Sequence, residues 1–218
     1  MLSKNIAALQ ERVKSHYLAD EIIKGTYWEN GKGCAVGCSL HSGKHKDGEA
    51  QFGVPDPIWR LLDNIFESLP NKEAKELPLR FSLALRDGAD YSGVTGKFLF
   101  WLVDEELRPW HGDATVGAAV LGVRDALATG VGLLEAAHAT YNAAADADAA
   151  TATAAAYAAR ATYATTATAA AATYACAATY TDTAAARKRQ AEKLLALIEE
   201  GSDGALRQPV AGGKTVWI

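Results

Sequence analysis

Between Leu134 and Leu194 the chain carries no Leu, Ile, Val, Met, Phe or Trp. From Ala136 to Ala186, 28 of 51 residues are Ala, 11 are Thr and 5 are Tyr. Burial stabilises by about 25 cal/mol per Å² of apolar surface, and alanine offers too little surface for such a block to build an ordinary core. The large apolar side chains of this 218-residue protein lie instead in residues 1–134, in a short return from Leu194 to Ile198, and in Trp217-Ile218. No proline or glycine interrupts Leu133 to Glu200, and alanine has the highest helix propensity. One continuous helix there would be roughly 100 Å long at 1.5 Å per residue, and a hairpin of two shorter helices is the alternative. The expected fold class is all-α. A compact N-terminal helical domain over 1–132 precedes an alanine/threonine-rich helical segment over 133–200 and a flexible tail over 201–218.

Within the N-terminal part, Ser3 is expected to cap a helix running to about Lys24, with Ile6, Leu9, Val13 and Tyr17 on one stripe and Gly25 as the stop. Tyr27 to Gly33 reads as a turn. Asp56-Pro57 starts a helix whose buried face is Ile58, Leu61, Leu62, Ile65, Phe66 and Leu69, closed by Pro70. Asn71 begins a short helix that Pro78 is expected to break before it resumes through Leu85. Ser92 caps another with Val94, Phe98, Trp101 and Leu102 inward, although Lys97 to Val103 also suits a buried strand. Asp113 opens a further one, with Val116, Val120, Val123 and Leu127 inward and an end near Gly130.

A net charge of −4 argues against binding nucleic acid through bulk phosphate attraction. Met1 to Asn5 contains no apolar run of the signal-peptide kind, and Gln10, Glu11, Arg12 and Lys14 break up the stretch after it. Asp146, Asp148, Arg160 and Asp182 punctuate the alanine block, which excludes it as a membrane span. Three cysteines, two of them close together, suit a reducing cytoplasm better than a disulfide framework.

Chemistry concentrates in Cys34, Cys38, His41 and His45, a C-x3-C-x2-H-x3-H pattern. Thiolate and imidazole are the preferred donors for zinc, and a tetrahedral site takes four of them. On an unbroken helix these residues would share one stripe rather than surround an ion, so the chain must turn, with Ser42-Gly43-Lys44 the place for it. Two or three of the four acting with a distant partner, His16 or Glu49, is equally compatible. Cys34 is also a candidate catalytic nucleophile: it follows Gly31-Lys32-Gly33, a helix dipole would acidify it, and His41, His45 or His16 could act as base. The plainer reading makes Cys34 and Cys38 small buried hydrophobes beside solvated histidines. Gly96-Lys97 and Gly213-Lys214-Thr215 lack the upstream glycine of a phosphate loop, with Tyr91 and Gln208 in its place.

Thr129, Thr140, Thr151, Thr162 and Thr173 recur every 11 residues. Such a spacing drifts by only about 20° per step on a helix and forms a ladder. This resembles type I antifreeze peptides and implies an ice-binding face, with Thr140, Thr151, Thr162 and Thr173 as its members. The same face would serve assembly, because alanine permits close helix–helix approach. Tyr27 to Cys38, with Gly53-Val54-Pro55 and Leu62 to Glu67, resembles a family of uncharacterised bacterial and phage-encoded proteins. They join a comparable globular N-terminal part to an alanine-rich tail of variable length. That resemblance implies a bacterial or phage cytoplasmic setting and brings no activity with it. The leading expectation is thus a cytoplasmic accessory or interaction protein with a Cys/His metal site, zinc being the fitting cofactor. Its alanine-rich helix would meet a protein partner or a second copy, with no nucleic acid and no membrane. A cysteine-dependent hydrolase or transferase and an ice-binding helix are the alternatives.

Overall fold

A computed structural model describes residues 1–145, Ala158 and 183–206. The fold is mainly all-α, with one small sheet. Helix α1 (Ile6–Leu18) buries Ile6, Leu9 and Val13 along the expected stripe. Its start is not capped by Ser3. The Ser3 hydroxyl is buried and donates to Arg86 O at 2.6 Å, while the carboxylate of Asp87 accepts from the Ile6 amide at 2.9 Å. A cap supplied from about eighty residues away is invisible to local sequence reading. The helix also ends before Lys24, because Asp20 takes a left-handed backbone conformation (φ 55°) and turns the chain.

The turn expected at Tyr27 to Gly33 is a two-strand antiparallel hairpin, β1 (Trp28–Glu29) with β2 (Lys32–Gly33). Asn30 and Gly31 both have positive φ (50° and 80°), as a two-residue hairpin turn matching the strand twist requires. Helices α2 (Ala35–Leu40) and α3 (Lys46–Phe52) follow, then α4 (Asp56–Ser68), whose first turn contains Pro57. Helix α5 (Asn71–Ala84) runs through Pro78 without a break. Ala74, Leu77, Phe81 and Ala84 are buried on both sides of the proline. Their burial outweighs the roughly 3 kcal/mol that an interior proline costs. Residues Val94–Trp101 are helical (α6) rather than extended, and a π-type turn follows, with the Leu107 amide bonded to Leu102 O. Asp113 accepts from the Thr115 and Val116 amides and leads into α7 (Gly117–Thr129), which Gly130 closes at φ 72°.

Helix α8 (Leu133–Ala145) opens the alanine-rich segment and packs on α7. Thr140 is buried, with its hydroxyl donated to Ala136 O at 2.7 Å. Its oxygen thus serves its own helix rather than an exposed ladder; Thr151, Thr162 and Thr173 lie outside the described residues. The final helix, α9 (Thr183–Leu206), docks on α4, α5 and α6 through buried Leu194, Leu195, Leu197 and Ile198. It runs past Gly201, where the tail was expected to begin. Gly201 allows this: an added Cβ would stand 2.9 Å from the Tyr91 ring. The Tyr91 hydroxyl meets Ser202 Oγ at 2.7 Å and accepts from the Arg86 amide, tying α9 to the loop after α5. Residues 207–218 lie outside the described residues. No helix among the described residues is long and apolar enough to cross a membrane.

Candidate metal centre

The hairpin backbone lies directly on the start of α2, and two glycines make that approach possible. A Cβ on Gly37 would stand 1.4 Å from Tyr27 O, and one on Gly33 would stand 2.1 Å from the same atom. Cys34 is therefore clamped between them. Its amide donates to Thr26 O at 2.6 Å, and its Sγ accepts from the Gly37 amide at 3.4 Å. Cys34 is 1% exposed.

Opposite it, α4 carries Asp63 and Glu67, one turn apart and so on one face of the helix. One oxygen of each carboxylate and the Cys34 sulfur lie within 4.8 Å of one another. This is the one group of that kind among the described residues, and it is placed to hold a metal ion. Asp63 is buried and oriented by His45, whose Nε2 lies 3.1 Å from its Oδ2. Its Oδ1 is also buried, and the carboxylate is within side-chain hydrogen-bonding reach of the Cys34 thiol. Glu67 is more exposed and accepts from the Gly25 amide at 3.1 and 3.2 Å. Tyr27 stands edge-on to His45, with ring centres 5.7 Å apart.

Burial and mutual repulsion load this group in one direction. Burial, followed by the charge of Asp63, pushes the Cys34 thiol well above its ordinary range. Burial also raises Glu67, with Asp63 adding to it, and raises Tyr27, with Asp63 and Cys34 adding to it. Each shift opposes negative charge at a place where three acidic groups converge. A bound cation inverts that balance, because it stabilises the deprotonated thiol and both carboxylates together.

The structure disperses the four residues singled out by spacing. Cys34 joins the two carboxylates, and His45 stands behind one of them. The Cys38 thiol donates to Gly33 O at 3.3 Å and contacts Glu21 O, with burial pushing it up to about 12. His41 caps α2 with φ 50° and turns its Nε2 to that of His16, 2.8 Å away. The chain does turn after α2, but it begins at His41, one residue before Ser42-Gly43-Lys44. Asp63 and Glu67 escaped sequence reading. Their signal was a carboxylate inside the apolar run Leu61-Leu62-Asp63-Asn64-Ile65-Phe66, with a second acid four residues on.

Comparison with protein-family models, curated proteins and solved structures finds no match.

Proposed function

We propose that this is a metal-binding accessory protein that holds one divalent cation, zinc by its donor chemistry, between Cys34, Asp63 and Glu67. The convergence of the buried Cys34 thiol with the Asp63 and Glu67 carboxylates, all within 4.8 Å of one another, carries the reading. The Asp63 charge opposes ionisation of both Cys34 and Glu67, and a coordinated cation removes that repulsion. A thiolate in the set favours zinc over magnesium or calcium, which take all-oxygen shells. Three protein donors leave a fourth position for water or a ligand, and Glu67 is on the exposed side of the group. His45 fixes Asp63 from behind, as outer partners of metal ligands do. A reducing cytoplasm would keep Cys34 available as a ligand, and the alanine-rich segment would serve association with a partner or a second copy.

A cysteine nucleophile is the weaker reading, because burial and the Asp63 charge hold Cys34 protonated and His45 is engaged with Asp63. Metal analysis of protein purified without a histidine tag tests the proposal. About one equivalent of zinc is expected, and cobalt substitution should give a thiolate-to-cobalt absorption band lost in Cys34→Ser and weakened in Asp63→Asn. Cys38→Ser should keep both. Metal-free protein that takes up cobalt without that band would overturn the reading.

A further inference from the structure

At the opposite end of α2 from Cys34 lies a second constellation that the Cys34 group does not use. His16, in the last turn of α1, and His41, at the end of α2, present their Nε2 atoms to each other at 2.8 Å. Glu21 holds the far nitrogen of His16, with Oε2 at 2.6 Å from Nδ1. That bond fixes the proton on Nδ1 and aims the Nε2 lone pair at His41. Trp28 fixes both rings: it stacks on His41 (4.4 Å between centres, 15° between planes) and meets His16 edge-on at 5.3 Å. We propose that His16 and His41, oriented by Glu21 and walled by Trp28, form a second metal site for an imidazole-seeking divalent cation.

The geometry supports this in two ways. Carboxylate, imidazole and metal in series is the arrangement by which proteins set a ligating histidine's tautomer and raise its basicity. Two nitrogens at about 2.0–2.1 Å from a tetrahedral ion stand about 3.3 Å apart, so the pair needs to open by only about 0.5 Å. His41 is an exposed cap residue and can move that far. With the His16 lone pair facing it, His41 Nε2 carries the proton of the 2.8 Å bond, so metal binding shifts that ring's proton to Nδ1 through solvent. Arg12 opposes a cation, but its guanidinium is held by Ser39 O and Gln51, and Glu21 supplies the balancing charge. Two protein donors with water completing the shell make an exchangeable site, weaker than the three-donor group at the start of α2. Copper(II) stands highest among divalent ions for such donors, with zinc and nickel below it.

The test uses the full chain without a histidine tag and with Cys34→Ser, which removes the thiolate of the Cys34 group, so that its failure cannot be confused with this one. Cu²⁺ is titrated at pH 7.5 while tryptophan fluorescence is followed, since bound copper quenches an adjacent indole. A saturable quench at one equivalent is expected, with affinity at least tenfold lower in His16→Ala and in His41→Asn. Asparagine tolerates the left-handed backbone at position 41, so this variant keeps the fold. Glu21→Gln should weaken binding about tenfold. Trp28→Phe should abolish most of the quench while calorimetry still shows the binding heat. Unchanged affinity in His41→Asn, or a full quench in Trp28→Phe, overturns the proposal and leaves the histidines as a hydrogen-bonded pair.

Discussion

Replacing Gly37 by alanine should destabilise the protein strongly, although the same change inside a helix ordinarily stabilises by up to about 1 kcal/mol. The new Cβ would stand 1.4 Å from Tyr27 O and 2.5 Å from its carbonyl carbon. Both atoms are backbone, so no side-chain rotation relieves the overlap. Restoring even a 3.0 Å contact requires the hairpin to withdraw by about 1.6 Å. That movement breaks the bonds from the Cys34 amide to Thr26 O and Tyr27 O, now 2.6 and 3.2 Å. Overpacking costs about 1–3 kcal/mol, and the orphaned buried groups add about 1–3 kcal/mol. A total of about 2–6 kcal/mol is expected, a large share of the 5–15 kcal/mol typical of a domain. Gly96→Ala in α6 is the matched control, since its Cβ would meet nothing within 4 Å. Urea unfolding followed by far-UV circular dichroism would compare the two. Equal midpoints for Gly37→Ala and wild type would refute the claim that this glycine exists to admit the hairpin backbone.

Other consequences are open to equally direct measurement. Tyr91→Phe strands the Arg86 amide and loosens the bond to Ser202, and should cost about 1–3 kcal/mol in chemical denaturation; a smaller loss than about 0.5 kcal/mol would argue against that link. Ile198→Ala, at a fully buried position, should cost about 2–5 kcal/mol if α9 belongs to the core. An unchanged midpoint would mean that the helix does not dock. Iodoacetamide at pH 8 with peptide mapping should label neither Cys34 nor Cys38 in the native, metal-free protein, because both thiols are buried and held protonated; fast labelling of Cys34 would favour the nucleophile. Their pKa values are raised above the ordinary 9.0, so the unfolded chain gives up these protons first. Stability of the metal-free protein should hold below about pH 9 and fall as pH rises above it, less steeply in Cys38→Ala. A rise in stability through that window would contradict the burial of both thiols.

Much of the architecture is legible in local pattern. The stripe Ile6, Leu9, Val13, the Asp56-Pro57 start and the Gly130 stop follow from side-chain periodicity and backbone preference, which act over a few residues. The two described ends of the alanine-rich block, α8 and α9, are helical, as alanine abundance and the absence of proline there lead one to expect. The errors share a cause: distant atoms outvoted local preference. Asp87 caps α1 in place of Ser3, and burial of Leu77 and Phe81 carries α5 through Pro78.

The site divides the same way. The sequence by itself marked Cys34, Cys38, His41 and His45 as the chemically capable residues, because donor identity is a property of the side chain alone. Which donors meet depends on the path of the backbone between them. Gly33 and Gly37 admit the hairpin and bury Cys34, α4 brings Asp63 and Glu67 to it, and the left-handed turn at His41 sends that ring to His16 instead. Contacts across twenty to thirty residues are set by packing, and only the tertiary structure decided them.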